Sequence, residues 1–280
     1  MSSPDDTIGG RNRRQFLKEA GAAALGVGWA LPVLSGCETA EAVQAHDATG
    51  PAASQAEHQL AMVVDVEKCS RDPVRRAVVE ACHRTHNVPR ISDPDDEIKW
   101  IWDAEYRHVF PDQVHDRMPP EVQEAPVLVL CNHCESPPCV RVCPTQATWK
   151  RESDGIVMMD MHRCIGCRYC MAACPYGSRS FNWRDPRPFI DTDADGELLS
   201  DYPTRTRGVV EKCNFCADRL RDGLEPACVE AAAQVEGGEG ALVFGDLSDP
   251  DSEVSHVLRE RATLVRRPGL GTGPKVYYIV

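Results

Sequence analysis

An α+β fold in two related halves, with little regular secondary structure and irregular insertions, is what this 280-residue sequence predicts. Three observations carry that expectation. Fourteen cysteines fall into spaced groups rather than being scattered, so the chain is organised around whatever they bind. Two groups are complete and end in Cys-Pro, while two others are incomplete in complementary ways, which divides the chain into halves. Apolar stretches are short, with strands expected near 156–159, 242–244 and 276–280 and short helices after the Cys-Pro runs.

Composition narrows the function classes. The formal net charge is −12, and an acidic body without a basic patch argues against nucleic acid as a partner. No stretch after residue 36 is long and apolar enough to span a bilayer. No nucleophile–base pair, phosphate loop or nucleotide fingerprint is present, so the chain is not expected to be an enzyme with a substrate of its own.

The N-terminus has the layout of an address. Arg13-Arg14-Gln15-Phe16-Leu17-Lys18 follows a polar start and precedes a mildly apolar stretch over 21–34. That is the layout of a twin-arginine export signal, with Asn12 where Ser or Thr is usual. Leu34-Ser35-Gly36-Cys37 reads as a lipobox, which would place a lipid on Cys37. Cleavage after Ala40-Glu41-Ala42, which would discard Cys37, is the competing reading. One acyl chain gives only marginal membrane binding, so stable attachment would need a membrane-bound partner. Residues 1–36 are thus read as signal, 37–60 as a flexible tether, and 61–280 as the folded body. Within that body one half spans 125–185, and the other is built from 61–95 and 205–280.

Four cysteine groups follow. Cys164-x2-Cys167-x2-Cys170-x3-Cys174-Pro175 is the bacterial run in which three thiolates wrap one cubane iron–sulfur cluster and the fourth ligates its neighbour. Zinc does not call for this interval followed by Cys-Pro, and disulfides between such close neighbours would be strained. Cys131-x2-Cys134-x4-Cys139-x3-Cys143-Pro144 repeats the logic with a wider middle gap; two independent zinc knuckles are the alternative. By exchange of fourth ligands, Cys131, Cys134 and Cys139 take Cys174, and Cys164, Cys167 and Cys170 take Cys143.

The third group, Cys213-x2-Cys216-x11-Cys228, has Ala232 where its fourth member belongs. Counting back from Cys82 at the same spacing meets Val78, Arg75 and Asp72 in place of ligands, with Cys69 three residues out of register. The losses complement each other. One site keeps Cys82, Cys213, Cys216 and Cys228, and its partner site keeps none. Three [4Fe–4S] clusters are therefore expected, with Val78 and Ala232 packed where sulfurs would have sat, and with Cys69 near that place yet ligating nothing.

Residues from about 60 onward resemble the four-cluster ferredoxin subunits that accompany molybdenum reductases, hydrogenases and quinone-linked membrane complexes. Within that family the likeness is nearest to the DsrO group, periplasmic iron–sulfur subunits of membrane complexes in sulfur-metabolising microbes. The likeness rests on "ACHRTHNVP", "HVFPDQVH", "LCNHCESPPCVRVCPTQATWKR", "GIVMMDMHRCIGCRYCMAACPYGSRSFNW", "VEKCNFCADRL" and "GTGPKVYYIV". It implies two bacterial-ferredoxin-like 4Fe–4S halves and electron transfer in sulfur- or sulfite-linked respiration, on the periplasmic face of the cytoplasmic membrane. It also implies an integral membrane subunit that interacts with quinone and a multihaem cytochrome c as partners. The same wire serving a nitrite, polysulfide or molybdenum reductase or a hydrogenase is the near alternative. A non-redox zinc scaffold is the distant one. Asp72, Arg75, Val78 and Ala232 depart from the four-cluster pattern and remove one terminal site, which fits a wire without a molybdenum partner.

Three further features have competing readings. Asp191-Thr192-Asp193-Ala194-Asp195-Gly196 matches half of a calcium loop, but Tyr202 occupies its acidic twelfth position, so an acidic turn is expected. The aromatic stretch over 97–110 would serve either docking or packing over the core. His83, His86, His108, His115 and His133 are read as surface groups or as neighbours of the ligands. Arg141, Lys150, Arg151, Arg163 and Arg168 either offset cluster charge or form a solvated face.

Overall fold

The computed structural model describes residues 57–280; the twin-arginine stretch, the lipobox with Cys37 and nearly all of the expected tether lie outside those described residues. Regular structure begins with β1 (Leu60–Asp65), α1 (Val66–Ser70) and α2 (Asp72–Thr85). The Asp65 carboxylate caps α1 by accepting the Lys68 N–H at 3.0 Å. Proline in the first turn of α2 sits where no N–H is needed, and Asp72 pairs with Arg75 and Arg76 one turn later. Val74, Val78 and Cys82 form its buried stripe at four-residue intervals.

Next come β2 (Ile101–Glu105), the single turns α3 (Tyr106–Val109) and α4 (Pro120–Gln123), and β3 (Pro126–Leu130), with β2 and β3 antiparallel. The cysteine-rich middle holds α5 (Pro138–Arg141), the hairpin of β4 (Thr148–Lys150) and β5 (Val157–Met159), and α6 (Tyr169–Ala173). β6 (Ser180–Phe181) then pairs with β7 (Val210–Glu211). The chain closes with α7 (Ala217–Arg221), α8 (Ala227–Ala233), β8 (Leu242–Asp246), α9 (Glu253–Glu260), β9 (Thr263–Leu264) and β10 (Val276–Ile279).

One four-stranded sheet, in the order β8-β1-β10-β9, gathers both ends of the described chain. β1 runs parallel to β10 and antiparallel to β8. Both faces of β1 are covered, so its sequence is continuously apolar rather than alternating. Ala61 and Val63 meet Val243, Ile279 and Val254 of α9 on one side. Met62 and Val64 join the main core on the other. There α2 packs against α8, whose buried residues are Ala227, Cys228, Val229 and Ala232.

The fold class stands as expected: small sheets and short helices joined by much irregular chain, α+β in character. Two details differ. The helices of the cysteine runs precede Cys-Pro instead of following it. Cys139 lies in α5 and Cys170 in α6, and each helix stops by the cysteine before proline, because that residue is pushed out of the helical region. The body also starts one residue earlier than expected. Leu60 already belongs to β1, and the His58 and Leu60 N–H groups bond to the Ser153 and Asp154 carbonyls. In the aromatic stretch Trp100 and Phe110 are buried in the main core, which is the packing role.

Candidate metal centres

The first Cys-x-x-Cys pair in each of the three groups that begin at Cys131, Cys164 and Cys213 shares one backbone device. The residue before the second cysteine takes a left-handed conformation: His133 at φ 40°, Gly166 at φ 70° and Phe215 at φ 55°. That reversal bends the loop tightly enough for both sulfurs to face one side.

Cys131, Cys134, Cys139 and Cys174 line one enclosed cavity together with Pro138, Val157, Tyr176 and Arg179. The first two leave the end of β3, the third rides on α5, and Cys174 arrives from the end of α6. Burial pushes the Cys134 thiol up to about 12, and charge on Cys131, Cys139 and Cys174 would raise it further. Such thiols ionise only when metal takes the place of the proton.

Cys82, Cys213, Cys216 and Cys228 form a second, deeper set, all four buried. Cys82, Cys213 and Cys228 belong to one buried cluster, where α2 packs on α8, and burial first, then charge on the other three sulfurs, raises the Cys82 thiol. Cys213 and Cys228 are each pushed up to about 12 by burial.

The third set is shallower. Cys170 is buried, while Cys164, Cys167 and Cys143 are half-buried. Cys164 and Cys170 share an apolar cluster with Cys139, Val157 and Val210. Cys143 follows α5, which packs on α6, the helix that carries Cys170. Although burial opposes it, the Cys143 thiol is held below its ordinary range by N–H groups of Thr145, Ala147 and Thr148 and by the Thr145 hydroxyl.

The place of a fourth set is closed. Asp72, Arg75 and Val78 belong to a continuous helix instead of a ligand loop, with Val78 at 0% exposure and Ala232 at 1%. Cys69 lies beside Cys228 and donates its thiol hydrogen to the Ala241 carbonyl at 3.3 Å.

Sequence reasoning missed the charges that matter most. Arg141, Arg163 and Arg168 are exposed, Lys150 pairs with Glu135 and Arg151 pairs with Asp154. The buried cations are Arg179, Lys212, Arg205 and Arg266. Lys212 directly before Cys213 was the available signal, since a lysine inside a cysteine motif has no solvent to turn to. Around the Cys82 set, Arg205 pairs with Glu211, both side chains at 0% exposure. Glu211 also accepts the Trp100 and Asn182 N–H groups at 2.7 Å each. His86 stacks on Trp100 and its Nδ1 lies 3.0 Å from the Cys82 carbonyl oxygen, which accepts from it, while burial lowers the imidazole to about 4. His133 is buried and His83 half-buried, whereas His108 and His115 are exposed. In the acidic turn Arg90 occupies Asp191, and Asp193 accepts the N–H groups of Asp195 and Glu197.

Four soft sulfur donors around one enclosed cavity that the buried Arg179 also lines fit an iron–sulfur cubane.

Known proteins agree with that chemistry. Two models described as 4Fe–4S dicluster domains match residues 126–187 and 157–231. The chain is 39% identical over 284 residues to the Hdr-like menaquinol oxidoreductase iron–sulfur subunit 1 of Archaeoglobus fulgidus, covering 95% of this chain and 97% of that one. It is 36% identical to the iron–sulfur cluster-binding subunit of menaquinone reductase from Nitratidesulfovibrio vulgaris, covering 78% and 87%. Against the iron–sulfur subunit of the arsenate respiratory reductase of a Shewanella strain it is 34% identical, covering 79% and 96%.

Proposed function

Because the chain belongs to the family of iron–sulfur subunits built on 4Fe–4S dicluster domains, we propose that it relays electrons through three [4Fe–4S] clusters within a quinone-linked oxidoreductase. Cluster A is held by Cys131, Cys134, Cys139 and Cys174. Cluster B is held by Cys164, Cys167, Cys170 and Cys143, and cluster C by Cys213, Cys216, Cys228 and Cys82. Each supplies one-electron chemistry when bound; the chain's own work is to hold, space and insulate them. The count of three rests on one observation: Cys82 shares a buried cluster with Cys213 and Cys228, while the segment that would ligate a fourth cluster is helical.

The wire runs B–A–C. Cys139 and Cys170 share one apolar cluster, and charge on Cys131 is felt at Cys213. Cluster B is the end where electrons enter or leave, because its cysteines are the least covered. Around it Ile165, Tyr169 and Trp183 are 67%, 61% and 42% exposed, with Arg168 lying 4.6 Å over Trp183. That apolar, basic-rimmed face suits docking to another protein.

The finer reading is a DsrO-type subunit. It is exported by the twin-arginine route to the periplasmic face of the membrane and attached there through its partners and a lipid on Cys37. It passes electrons between an integral membrane quinone-interacting subunit and a multihaem cytochrome c in sulfur- or sulfite-linked respiration. The likeness to the arsenate respiratory reductase subunit favours a second reading, the same wire serving a different terminal reductase. Iron and sulfide analysis of anaerobically purified protein tests the core of the proposal: about twelve irons per chain are expected, four for each cubane. Colourless, zinc-bearing protein would end it. Purification of the native complex separates the finer readings, since c-type haem in it supports the first and molybdenum the second.

A further inference from the structure

Three buried cations have no acidic partner. Arg179, Lys212 and Arg266 are 4%, 2% and 6% exposed. Among the described residues none of them makes a salt bridge, although exposed arginines across the surface do so repeatedly. Arg179 Nη2 donates to Cys139 Sγ at 3.0 Å and to the Thr148 hydroxyl at 2.8 Å. Lys212 Nζ donates to the Cys213 carbonyl at 2.7 Å and to the Val157 carbonyl. Arg266 stacks over the Tyr176 ring, 5.4 Å from its centroid, and its Nε has no partner. Tyr176 stands two residues beyond Cys174.

A buried charge left uncompensated is strongly destabilising, so an anion must face these groups in the folded protein. Arg179 lines the cavity of Cys131, Cys134, Cys139 and Cys174, while Lys212 and Arg266 stand one residue behind it, against Val157 and Tyr176 of its lining. Arg179 lies between Cys139 and Cys170, Lys212 between Cys131 and Cys213, and Arg266 beside Cys174. Each of the other two sets shares only one of these cations, Arg179 beside Cys170 and Lys212 next to Cys213. Near Cys82 the buried Arg205 is already neutralised by Glu211, and near Cys164 and Cys170 the further arginine, Arg168, is exposed to solvent.

Resting on the three-cluster reading above, we propose that Arg179, Lys212 and Arg266 make cluster A, in the middle of the wire, the most easily reduced of the three. Reduction passes one electron from a neighbouring cluster to cluster A and forms or breaks no bond. The added negative charge is stabilised by cations that are already fixed, so no proton has to enter. Two of the three are guanidiniums, which stay charged in proteins. The reductant is the adjacent cluster or, in the test, dithionite. An electron would thus rest at the centre and leave towards either end when a partner docks.

The test is potentiometric titration of anaerobic, full-length protein, followed by the paramagnetic resonance of each reduced cluster. Arg179→Gln and Lys212→Met should each lower the highest-potential component. Loss of one charge should change its reduction equilibrium by about tenfold, or about 59 mV for a one-electron couple. Arg168→Gln, which removes an exposed charge near cluster B, should leave that component in place. Arg179→Lys, with its charge kept, should hold the wild-type midpoint even if Arg179→Gln binds iron poorly. An unmoved highest component in both variants, or an equal shift in Arg168→Gln, overturns the inference. Iron-free wild-type protein would instead overturn the three-cluster reading.

Discussion

The imidazole of His133 lies flat on the ring of Phe215, with centroids 3.7 Å apart and planes 19° from parallel. Each is the residue before the second cysteine of its loop, so clusters A and C meet through equivalent positions of one motif. Phe215 is 1% exposed and also packs edge-on against Phe244. Phe215→Ala should therefore cost about 3–5 kcal/mol, while Phe215→Leu should lose much less. Urea-induced bleaching of the cluster absorbance measures both. Equal midpoints for the alanine variant and wild type would show that the stack carries no stability.

Gly166 tests the loop geometry of cluster B. Its φ is 70°, and an added Cβ would run into the Gly208 carbonyl oxygen and crowd Phe181. Gly166→Ala should cost one cluster, so iron should fall by about a third. Gly177 also has a positive φ, but nothing lies within 4 Å of its would-be Cβ. Gly177→Ala should keep all its iron and lose about 1–2 kcal/mol. Matching iron contents in the two variants would remove the steric argument.

Removing one member of the Arg205–Glu211 pair should be worse than removing both. Arg205 additionally donates to the His86 and Asn87 carbonyls at 2.5 and 2.9 Å. Glu211→Gln leaves that guanidinium uncompensated at about 3–5 kcal/mol. The double variant Arg205→Met with Glu211→Gln should recover part of this loss. Additive losses in a double-mutant cycle would mean the two charges do not depend on each other.

Whatever is chelated or patterned locally was legible in the sequence. Cubane ligands come from short loops, so Cys131 to Cys143 and Cys164 to Cys174 announce themselves by spacing alone. The strands at 157–159, 242–246 and 276–279 have β-branched and apolar runs that need no knowledge of their neighbours. What stayed hidden depends on residues far apart in the chain. Glu211 is buried only because Trp100 and Arg205 reach it, and β1 pairs with β10 across the whole body. The helices expected after the Cys-Pro runs lie before them, because proline disfavours helical backbone in the cysteine that precedes it. The departures from a fourth ligand set were legible from both ends of the chain: Asp72, Arg75 and Val78 before Cys82, and Ala232 after Cys228.

Acid and base should both loosen the N-terminal edge of the sheet. His58 Nδ1 lies 2.6 Å from Asp246, and that contact raises the imidazole's pKa. Asp246 is lowered: burial opposes this, but the Gln59 and Ser248 N–H groups and His58 outweigh it. The carboxylate therefore contributes stability above its unfolded pKa, lost as pH falls through the depressed folded value. The histidine contributes below its unfolded pKa, and loses it as pH rises through the raised folded value. Asp246→Asn should flatten both arms of the stability–pH curve, followed by hydrogen exchange in β1 and β8. Unchanged curvature would mean the contact is idle.

The last prediction sets Cys69 against Cys82, two buried cysteines thirteen residues apart in sequence that should behave oppositely. Burial, with the Asp65 charge behind it, pushes the Cys69 thiol up to about 12. The ligand thiols Cys134, Cys213 and Cys228 are raised in the same way, so what sets Cys69 apart is its place: it donates to the Ala241 carbonyl at 3.3 Å and stands three residues out of register with the ligand spacing. Cys82 instead faces three other sulfurs at the end of α2's buried stripe. Cys69→Ala should hold about twelve irons, and Cys82→Ser should fall to about eight as cluster C is lost. Restoring cysteines at Asp72, Arg75, Val78 and Ala232 should not add a fourth cluster. Residues 72, 75 and 78 lie on a helix, where each step of three residues rises about 4.5 Å and sets side chains in a row along one face instead of wrapping them round a cube. Sixteen irons in the wild type, or iron lost on removing Cys69, would show that the closed site still binds a cluster.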